Sequence, residues 1–261
     1  SGPVLRGAGR LGAAFAAGRR LDAVLGASPA VPEPKVPAPL PAGGALVADR
    51  VRFDVAGRAV LDGLSLEVAP GERIAIVGES GSGKSTLLSL LIRLADVSSG
   101  AIRFGGVDIR DAATAELHAK IALMSQDSPV FIGTIRDNLL IGSPAADDAA
   151  LYEALGRARL AEFVRGLPWG LDTWLGEAGE TLSAGQARRL CLARTLLSAA
   201  GILLLDEPTA GLDAETEREL LADILAATGG RTVVLATHAA LPPGAVDRLL
   251  TLAGGRLQPG P

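Results

Sequence analysis

The feature of the sequence that most constrains its fold is the stretch GESGSGKS at positions 78–85. It fits the pattern G-x-x-x-x-G-K-[ST], in which the glycines let the backbone curl until successive N–H groups point inward at phosphate oxygens. The apolar run RIAIV precedes it at 73–77, and a leucine-rich segment typical of a helix follows it at 86–94. A helix beginning there would add its positive N-terminal end to the same site. This order of strand, loop and helix predicts a nucleotide-phosphate site and argues against a chance glycine-rich turn.

Individual residues of this loop have separate expected roles. We expect Lys84 to contact the β- and γ-phosphates and the Ser85 hydroxyl to ligate Mg²⁺. The other residues expected to contact the nucleotide are Gly78, Glu79, Ser80, Gly81, Ser82, Gly83 and Thr86. The loop alone predicts nucleotide binding and leaves open which class of nucleotide-binding protein contains it.

A second part of the site is predicted at positions 202–207, which read ILLLDE. Four apolar residues followed by two carboxylates describe a buried strand with acids at its C-terminal end, where α/β sheets place their ligands. We expect Asp206 to hold Mg²⁺ through water and Glu207 to polarise the attacking water as general base. The alternative for Glu207 is an acid at the start of a helix, where the helix dipole favours it.

Short apolar runs alternate with helical patterns over the rest of the chain. Strands are predicted at 46–53, 64–68, 73–77, 121–125, 202–205 and 232–236, and helices at 86–94 and 134–166. This alternation indicates an α/β fold with a mostly parallel sheet covered on both faces. The helical stretch between about 128 and 198 interrupts the alternation and predicts an inserted helical lobe.

The first 44 residues are predicted to lie outside the globular domain. Positions 4–26 predict a helix, which is either an amphipathic surface helix or, over residues 1–27, the tail of a preceding transmembrane domain. Prolines at positions 29, 32, 34, 37, 39 and 41 predict an extended, semi-rigid linker over residues 28–44. The globular domain is therefore expected to cover residues 45–261.

Composition and charge exclude several classes of protein. A net charge of −4 and a pI near 5.3 argue against a protein that wraps nucleic acid. The single cysteine, Cys191, cannot form an internal disulfide, so we interpret it as a small buried residue in a reducing compartment. The charge-free stretch at 232–246 contains a histidine and two adjacent prolines, so no membrane-spanning segment is expected and the fragment is predicted to be soluble.

Several short motifs resemble those of the ATP-binding-cassette (ABC) family. The stretch LSAGQ at 182–186 resembles that family's signature LSGGQ and lies about twenty residues before the predicted Asp-Glu strand. Gln126 matches the family's Q-loop, AGLD at 210–213 its D-loop and His238 its switch histidine. GEAG at 176–179 resembles the loop that precedes the signature in exporters. Together with the phosphate loop, these motifs occur in the family's order and spacing between about 46 and 257.

The resemblance implies a P-loop NTPase fold with a RecA-like core. That fold has a mostly parallel sheet, an antiparallel β portion near the N-terminus and an inserted α-helical subdomain. The resemblance also implies an ATPase that binds ATP and Mg²⁺, and a head-to-tail dimer with ATP between the phosphate loop of one domain and the signature of the other. Ser183 and the N–H of Gly185, at a helix N-terminus, form an anion site that fits this arrangement. Transmembrane domains are the other implied partners, nucleic acid is not one, and the implied location is the cytoplasmic face of the bacterial inner membrane.

The family's functional residues carry over to positions of this sequence. The implied catalytic residues are Glu207, His238, Gln126 and Lys84. His238 would form a hydrogen bond with the γ-phosphate, and Gln126 would contact Mg²⁺ and water. Beyond the phosphate loop, nucleotide contacts are implied for Val55, Gln126, Ser183, Gly185, Gln186 and Asp213. The implied contacts with Mg²⁺ are made by Ser85, Gln126 and Asp206.

Two longer stretches carry a finer resemblance. GTIRDNL at 133–139 is typical of exporter half-transporters. LDTWLGE at 171–177, together with GLD at 211–213, looks most like the CydC subunit of the bacterial thiol exporter. That family is a heterodimer of CydC and CydD, linked to cytochrome bd assembly and to export of cysteine and glutathione. The resemblance therefore implies a non-identical partner subunit.

Two positions depart from the ABC pattern. Where the family usually has an aromatic residue that stacks on adenine, this chain has Val55, and such stacking contributes about 1–3 kcal/mol per base. Phe53 lies on the same face of its strand but is expected to pack in the core. Ala184 replaces the first glycine of the signature, which costs on the order of 1 kcal/mol if the backbone there has a positive φ.

Four alternatives stay open. The exporter could be a homodimer of the multidrug or lipid type, or the chain could be a soluble cassette protein of translation or DNA repair. Those soluble proteins carry paired cassettes or long coiled-coil insertions, whereas this chain has one cassette and no heptads. A P-loop kinase or GTPase is disfavoured by the signature and by His238. A nucleotide-binding module that does not hydrolyse ATP is disfavoured by the presence of Glu207.

Overall fold

The computed structural model describes residues 31–176, 182–210, 214–239 and 241–260. Its strands are β1 (Leu46–Val55), β2 (Arg58–Val68), β3 (Arg73–Val77), β4 (Ser99–Phe104), β5 (Val107–Asp108), β6 (Ile121–Met124), β7 (Gly133–Thr134), β8 (Trp174–Leu175), β9 (Ile202–Asp206), β10 (Thr232–Ala236), β11 (Arg248–Ala253) and β12 (Arg256–Pro259). Its helices are α1 (Lys84–Leu91), α2 (Thr114–Lys120), α3 (Ile135–Leu140), α4 (Asp148–Arg157), α5 (Ala161–Gly166), α6 (Ala184–Leu197) and α7 (Ala214–Ala226), with a 3₁₀ turn at Gly170–Asp172. These elements belong to one compact unit that begins at Glu33.

A six-stranded sheet in the order β12-β11-β3-β10-β9-β6 forms the centre of the fold. Five of its strands run parallel, and only the edge strand β12 is antiparallel to its neighbour. The three central strands β3, β10 and β9 are the apolar runs RIAIV, TVVLA and ILLLD, whose residues are almost all buried. Strands buried on both faces read as continuous apolar runs, which is why the sequence reveals them. The predicted α/β fold with a mostly parallel sheet is confirmed.

Each face of this sheet packs against a separate apolar cluster. Leu203 and Leu205 of β9 point to one cluster, which includes residues of α3, α4, α6 and α7. Ile202 and Leu204 of the same strand point to the other, which includes α1 and strands of a second sheet. Alternate residues of a strand point to opposite faces, so one short run contributes to both clusters.

The second sheet is antiparallel, four-stranded and ordered β2-β1-β4-β5. It corresponds to the predicted antiparallel β portion near the N-terminus. Strand β2 begins at Arg58, six residues before the predicted start at position 64, because its pairing with β1 continues up to the hairpin turn. Both turn residues, Ala56 and Gly57, have positive φ (49° and 79°). That conformation matches the right-handed twist of paired strands in two-residue hairpin loops.

Three helices, α3, α4 and α5, follow β6 within the stretch predicted as helical at 134–166. Thr134 and Asp137 form a capping box at the start of α3, and the Asp147 side chain accepts the Ala150 N–H at the start of α4. The chain therefore breaks into separate helices where these caps begin. α3 and α4 both pack against α6, which places the signature helix between the helical lobe and the sheet.

The segment predicted as a linker is described from residue 31 and contains neither helix nor strand up to residue 44. Its backbone is held by the main domain: the Ala38 N–H donates to Asp111 O at 2.7 Å, and the Leu40 N–H donates to Glu116 Oε1 at 3.0 Å. Leu40 is buried in the second apolar cluster. In the part of the chain that the structure describes, no helix has the length and apolar character that a bilayer crossing requires. The predicted N-terminal helix at 4–26 lies outside the described residues.

Candidate nucleotide-binding site

A cleft of about 520 Å³ lies beyond the carboxyl ends of the parallel strands. The loops after β3, β6, β9 and β10 all reach it, as expected for ligand sites of open α/β sheets. Its lining residues are Val60, Gly78, Glu79, Ser80, Gly81, Gly83, Lys84, Ser85, Thr86, Gln126, Asp206, Glu207, Ala210 and His238. The structure therefore brings together nearly all of the residues predicted for the phosphate, metal and catalytic parts of the site.

The glycine-rich loop needs glycine for steric reasons at two positions. A Cβ on Gly78 would lie 2.5 Å from the Leu252 carbonyl oxygen, far inside normal contact. Gly83 has φ 104° and caps α1, and a Cβ there would lie 3.1 Å from Leu61 Cδ2. A side chain at either position would push the loop away from the sheet, so the glycines keep the loop's N–H groups at the start of α1.

Lys84 is almost buried, with 7% of its surface exposed. Its Nζ donates to the carbonyl oxygens of Gly78 at 2.7 Å and Glu79 at 3.1 Å, so the ammonium lies across the mouth of its own loop. A lysine held this way presents a point charge to anionic oxygens in the cleft. The hydroxyl of Ser82, in the same loop, is buried and has no hydrogen-bond partner within the described chain.

Asp206 lies at the end of β9 and is 2% exposed. Its Oδ1 is buried without a hydrogen-bond partner in the described part of the chain. Burial raises the pKa of this carboxyl, against the opposing effects of the Ser85 hydroxyl, the Lys84 charge and the Gln126 N–H. An acid whose charged form is destabilised in this way is the kind of group that a cation would stabilise.

These oxygens fit Mg²⁺. Among the described residues, no group of three or more His, Cys, Asp and Glu side chains could hold a metal ion by itself. The cleft instead offers one carboxylate, Asp206, next to the hydroxyl of Ser85, with Gln126 on the same cleft wall. Mg²⁺ is usually held by one or two protein oxygens together with water and substrate phosphates. The donor set therefore matches a metal that arrives with a nucleotide.

Glu207 has an unusual backbone conformation and a fixed side chain. Its φ is +49°, a left-handed conformation that costs a non-glycine residue roughly 1–2 kcal/mol. Its N–H donates to Ala236 O at 2.9 Å, and its carbonyl oxygen accepts the Ala210 N–H at 3.2 Å. The carboxylate oxygen Oε2 of Glu207 lies 2.7 Å from Nδ1 of His238. Backbone strain of this kind is concentrated at functional sites, where surrounding contacts hold it.

His238 follows β10 at the rim of the cleft, and its side chain is 63% exposed. Because Nδ1 faces Glu207, the Nε2 side of the ring is left for a ligand. The residue before it is anchored: the Thr237 N–H donates to Ile76 O at 3.2 Å, and the Thr237 hydroxyl accepts the Ala239 N–H at 3.0 Å. The backbone next to the histidine is thus held by hydrogen bonds, and the exposed ring lies beside the carboxylate that it contacts.

The signature residues form a second, separate site at the start of α6. Ser183 caps the helix and forms a capping box with Gln186, whose Oε1 accepts the Ser183 N–H at 2.9 Å. Ala184 is the first residue of the helix and is not among the described residues with positive φ, so its Cβ causes no backbone strain. Ser183, Gly185 and Gln186 do not line the cleft of their own chain.

Val55 also lies outside the cleft, at the exposed end of β1. Val60 of β2 lines the cleft instead, and sequence reasoning did not identify it. Locating Val60 requires the register of the β1–β2 hairpin, which the apolar pattern of these strands does not show. Asp213 and most of the predicted GEAG loop lie outside the described residues.

Comparisons with known proteins agree on one family. A family model described as "ABC transporter" matches residues 61–210. The "ATP-dependent lipid A-core flippase" of Burkholderia pseudomallei (strain 1710b) is 40% identical over 220 residues, which are 83% of this chain and 37% of that protein. The "Uncharacterized ABC transporter ATP-binding protein YwjA" of Bacillus subtilis (strain 168) is 38% identical over 199 residues, which are 76% of this chain and 35% of that protein.

The structural comparison extends this likeness to the fold. A structure described as "Structure of a bacterial Atm1-family ABC exporter with ATP bound" matches with a TM-score of 0.79 and 38% identity. The match covers 86% of this chain and 40% of the other. The chain therefore spans about two fifths of the length of the relatives that it matches.

Proposed function

The chain belongs to the ABC transporter family as an ATPase domain, and from this premise we propose that it is the nucleotide-binding domain of an exporter half-transporter. The observation that carries the proposal is the Glu207–His238 pair, 2.7 Å apart, in the same cleft as Lys84 and Asp206. The relatives named as a lipid A-core flippase and as an Atm1-family exporter support the export direction.

Each cleft residue has a separate role in the proposed hydrolysis of ATP. Lys84 and the N–H groups of the glycine-rich loop bind the phosphates, and Glu207 accepts a proton from the attacking water as general base. His238 contacts the Glu207 carboxylate through Nδ1, and with both ring nitrogens protonated it would also donate from Nε2 to the γ-phosphate. Asp206 and Ser85 would hold Mg²⁺, which when bound neutralises charge on the β- and γ-phosphate oxygens. Water enters from the open side, since His238 is largely exposed.

The same arrangement supports a dimer. The signature residues Ser183 and Gly185 present a helix N-terminus to solvent, away from the phosphate loop of their own chain. This anion site does not face a phosphate bound by its own chain. We propose that it binds the γ-phosphate of the nucleotide held by a second domain. In a head-to-tail dimer, each nucleotide would lie between Lys84 and Glu207 of one domain and Ser183 of the other.

An exposed apolar patch marks the surface that we propose contacts the transmembrane domains. Phe131 and Ile132 follow the Gln126 loop, and Trp174 is paired with Thr134 on the adjoining short strand. All three apolar side chains are at least 46% exposed, which is unusual for residues of this size. Because Phe131 and Ile132 follow Gln126 by five and six positions along the chain, a partner that contacts them is placed to act on the cleft through this segment. The domain would accordingly lie at the cytoplasmic face of a bacterial inner membrane.

Two substrate classes compete. Thiol export, of cysteine or glutathione linked to cytochrome bd assembly, is supported by the CydC-like stretch at 171–177 and implies a non-identical partner. A homodimeric exporter of the multidrug or lipid type is supported by the flippase and Atm1-family relatives, and fits at least as well. The two candidates differ in a property of this chain that is measurable, namely whether it pairs with itself.

The test of the ATPase proposal separates binding from hydrolysis. Glu207→Gln keeps the side-chain shape and removes the base, so it should bind Mg-ATP with wild-type affinity in calorimetry and lose hydrolysis by orders of magnitude. Glu162→Gln, on the exposed face of α5, is the matched control and should keep wild-type hydrolysis. Continued turnover by Glu207→Gln would exclude Glu207 as the base and support a different mechanism.

The test of the partner uses the same blocked variant. The isolated chain is expected to be mostly monomeric and a slow ATPase, because transmembrane domains are not present to hold two copies at high effective concentration. A tight ATP-driven homodimer of Glu207→Gln in analytical ultracentrifugation would favour the homodimeric exporter. Weak self-association, with an ATP-dependent dimer only after addition of a CydD-type cassette, would favour the thiol exporter.

A further inference from the structure

Arg188 connects the signature helix α6 to the main chain of Glu207, the proposed general base. It lies on α6, five positions after the capping residue Ser183, and its Nη1 donates to the carbonyl oxygen of Glu207 at 2.6 Å. The contact spans 19 residues of sequence and joins two elements with different expected roles. Hydrogen bonds with a charged donor are shorter and stronger than neutral ones, and this distance is short for N–H···O.

The Glu207 backbone has several anchors, and Arg188 is the one that comes from another functional element. The N–H of Glu207 donates to Ala236 on β10, and its carbonyl oxygen accepts the Ala210 N–H from its own turn. Arg188 donates to that same carbonyl oxygen from α6. Since the φ of Glu207 is +49°, the peptide after it would relax toward an ordinary conformation without such anchors. A rotation there would move the carboxylate away from His238.

We infer that Arg188 is a positioning residue, which holds the Glu207 general base in its reactive orientation by fixing the Glu207 peptide from the signature helix. This inference rests on the proposed role of Glu207 in ATP hydrolysis. Arg188 does not line the cleft, so it acts through neighbouring residues and not through contact with ATP: it holds the Glu207 peptide, and its charge also favours the ionised form of Asp206. Because the start of the same helix faces the partner's nucleotide in the proposed dimer, the contact also joins the two nucleotide sites through one side chain.

A purely structural role for Arg188 predicts a different result. If the bond only stabilised the end of β9, its loss would lower the unfolding temperature without a specific effect on the chemical step. If it positions the base, its loss lowers kcat while the KM for ATP and the ATP affinity stay within about twofold, since ground-state binding does not involve Glu207's orientation. Loss of one charge-assisted hydrogen bond that acts on the base corresponds to a reduction in kcat of about tenfold to a hundredfold.

The experiment uses the 261-residue chain at saturating Mg-ATP over a range of protein concentrations, so that kcat is taken where it no longer rises. Arg188→Gln removes the charge and shortens the side chain, and Arg188→Lys keeps a cationic donor. Arg157→Gln is the matched control, since Arg157 also donates to a main-chain carbonyl, that of Ala227, away from the cleft. Calorimetric ATP affinity and unfolding temperature are measured for every variant.

The expected result is a large loss of kcat in Arg188→Gln, a partial recovery in Arg188→Lys and wild-type kcat in Arg157→Gln. Wild-type kcat in a folded Arg188→Gln would overturn the inference, as would a raised KM with unchanged kcat. Equal losses in Arg188→Lys and Arg188→Gln would also overturn it, because a charged donor would then have no advantage. A wild-type chain without any ATPase activity is a separate outcome, which contradicts the proposed function itself.

Discussion

The buried carboxylate of Asp206 leads to a prediction about stability in the absence of nucleotide. Its Oδ1 has no hydrogen-bond partner in the described chain, and the residue is 2% exposed. A buried polar atom without a partner costs about 1–3 kcal/mol of folding free energy. Asp206→Asn leaves a polar atom at the same place but removes its charge, and an unpaired buried charge costs more than an unpaired neutral group. We therefore expect the nucleotide-free variant to be more stable than wild type by on the order of 1 kcal/mol. For a domain of this size, 1 kcal/mol shifts Tm by roughly 2–4 °C.

The pH dependence of this difference follows from the direction of the pKa shift. Burial, the largest effect, raises the pKa of Asp206 above its ordinary value of 3.8, so the folded chain holds the proton more tightly than the unfolded chain does. Well below pH 3.8 both states are protonated, and the carboxyl carries no charge penalty. As the pH rises through 3.8, the unfolded chain ionises first, and the penalty on the folded chain appears and grows until the folded carboxyl has also ionised. The stability advantage of Asp206→Asn should therefore be larger near pH 7 than near pH 4.

Scanning calorimetry of both proteins without nucleotide, in the presence of a chelator, measures this advantage directly. Asp111→Asn, at an exposed carboxylate, is the control and should change the free energy of unfolding by less than about 0.5 kcal/mol. Saturating Mg-ATP should then reverse the order, because it stabilises wild type by binding the folded state and Asp206→Asn binds it poorly. A lower nucleotide-free Tm for Asp206→Asn, or an advantage that does not grow with pH, would refute the reasoning.

Three further predictions concern the rest of the site and the segment before it. Lys84→Ala should sharply weaken Mg-ATP binding in calorimetry, since its ammonium lies in the phosphate loop, and equal affinities would refute the site assignment. Val55→Tyr should tighten ATP binding by up to about 1–3 kcal/mol, and no gain would show that a residue such as Val60 already covers the base. Hydrogen bonds from Thr114 lower the pKa of Glu33 below its ordinary value of 4.5. In an NMR titration, the amide resonance of Thr114 should therefore follow the ionisation of Glu33 with a midpoint below pH 4.5. A midpoint at or above that value would contradict the contact.

The grouping of the cleft residues could be predicted because these residues follow strand ends. Once RIAIV and ILLLD are recognised as parallel strands of one sheet, the residues after them must lie at the same edge of that sheet. Lys84 and Asp206, which are more than a hundred positions apart, were therefore placed in one site without any tertiary information. The buried apolar runs carry that signal, since few other arrangements bury them on both faces.

Contacts that depend on register or on helix packing could not be predicted in this way. Val60 reaches the cleft because the β1–β2 hairpin extends to a two-residue turn, with Ala56 in a conformation that the residue type does not favour. Arg188 reaches Glu207 because α6 packs against β6, the neighbour of β9, and its position in the sequence is equally compatible with a solvated helix face. Strands β11 and β12 lack a continuous buried run, since all of their residues except Leu252 are exposed or only partly buried.

The difference between what the sequence indicates about hydrolysis and about the proposed partners has the same physical origin. Residues that act on ATP lie on buried or strained backbone, as Glu207 does, and the fold allows few alternatives there. Residues that would meet a partner lie on exposed surface, as Ile132, Trp174 and Ser183 do, and the core places little constraint on them. A substitution at such an exposed position changes which partner the domain can bind and leaves the fold unchanged. The sequence of the domain is therefore informative about nucleotide hydrolysis, whereas the substrate of the proposed exporter would depend on surfaces that a partner completes.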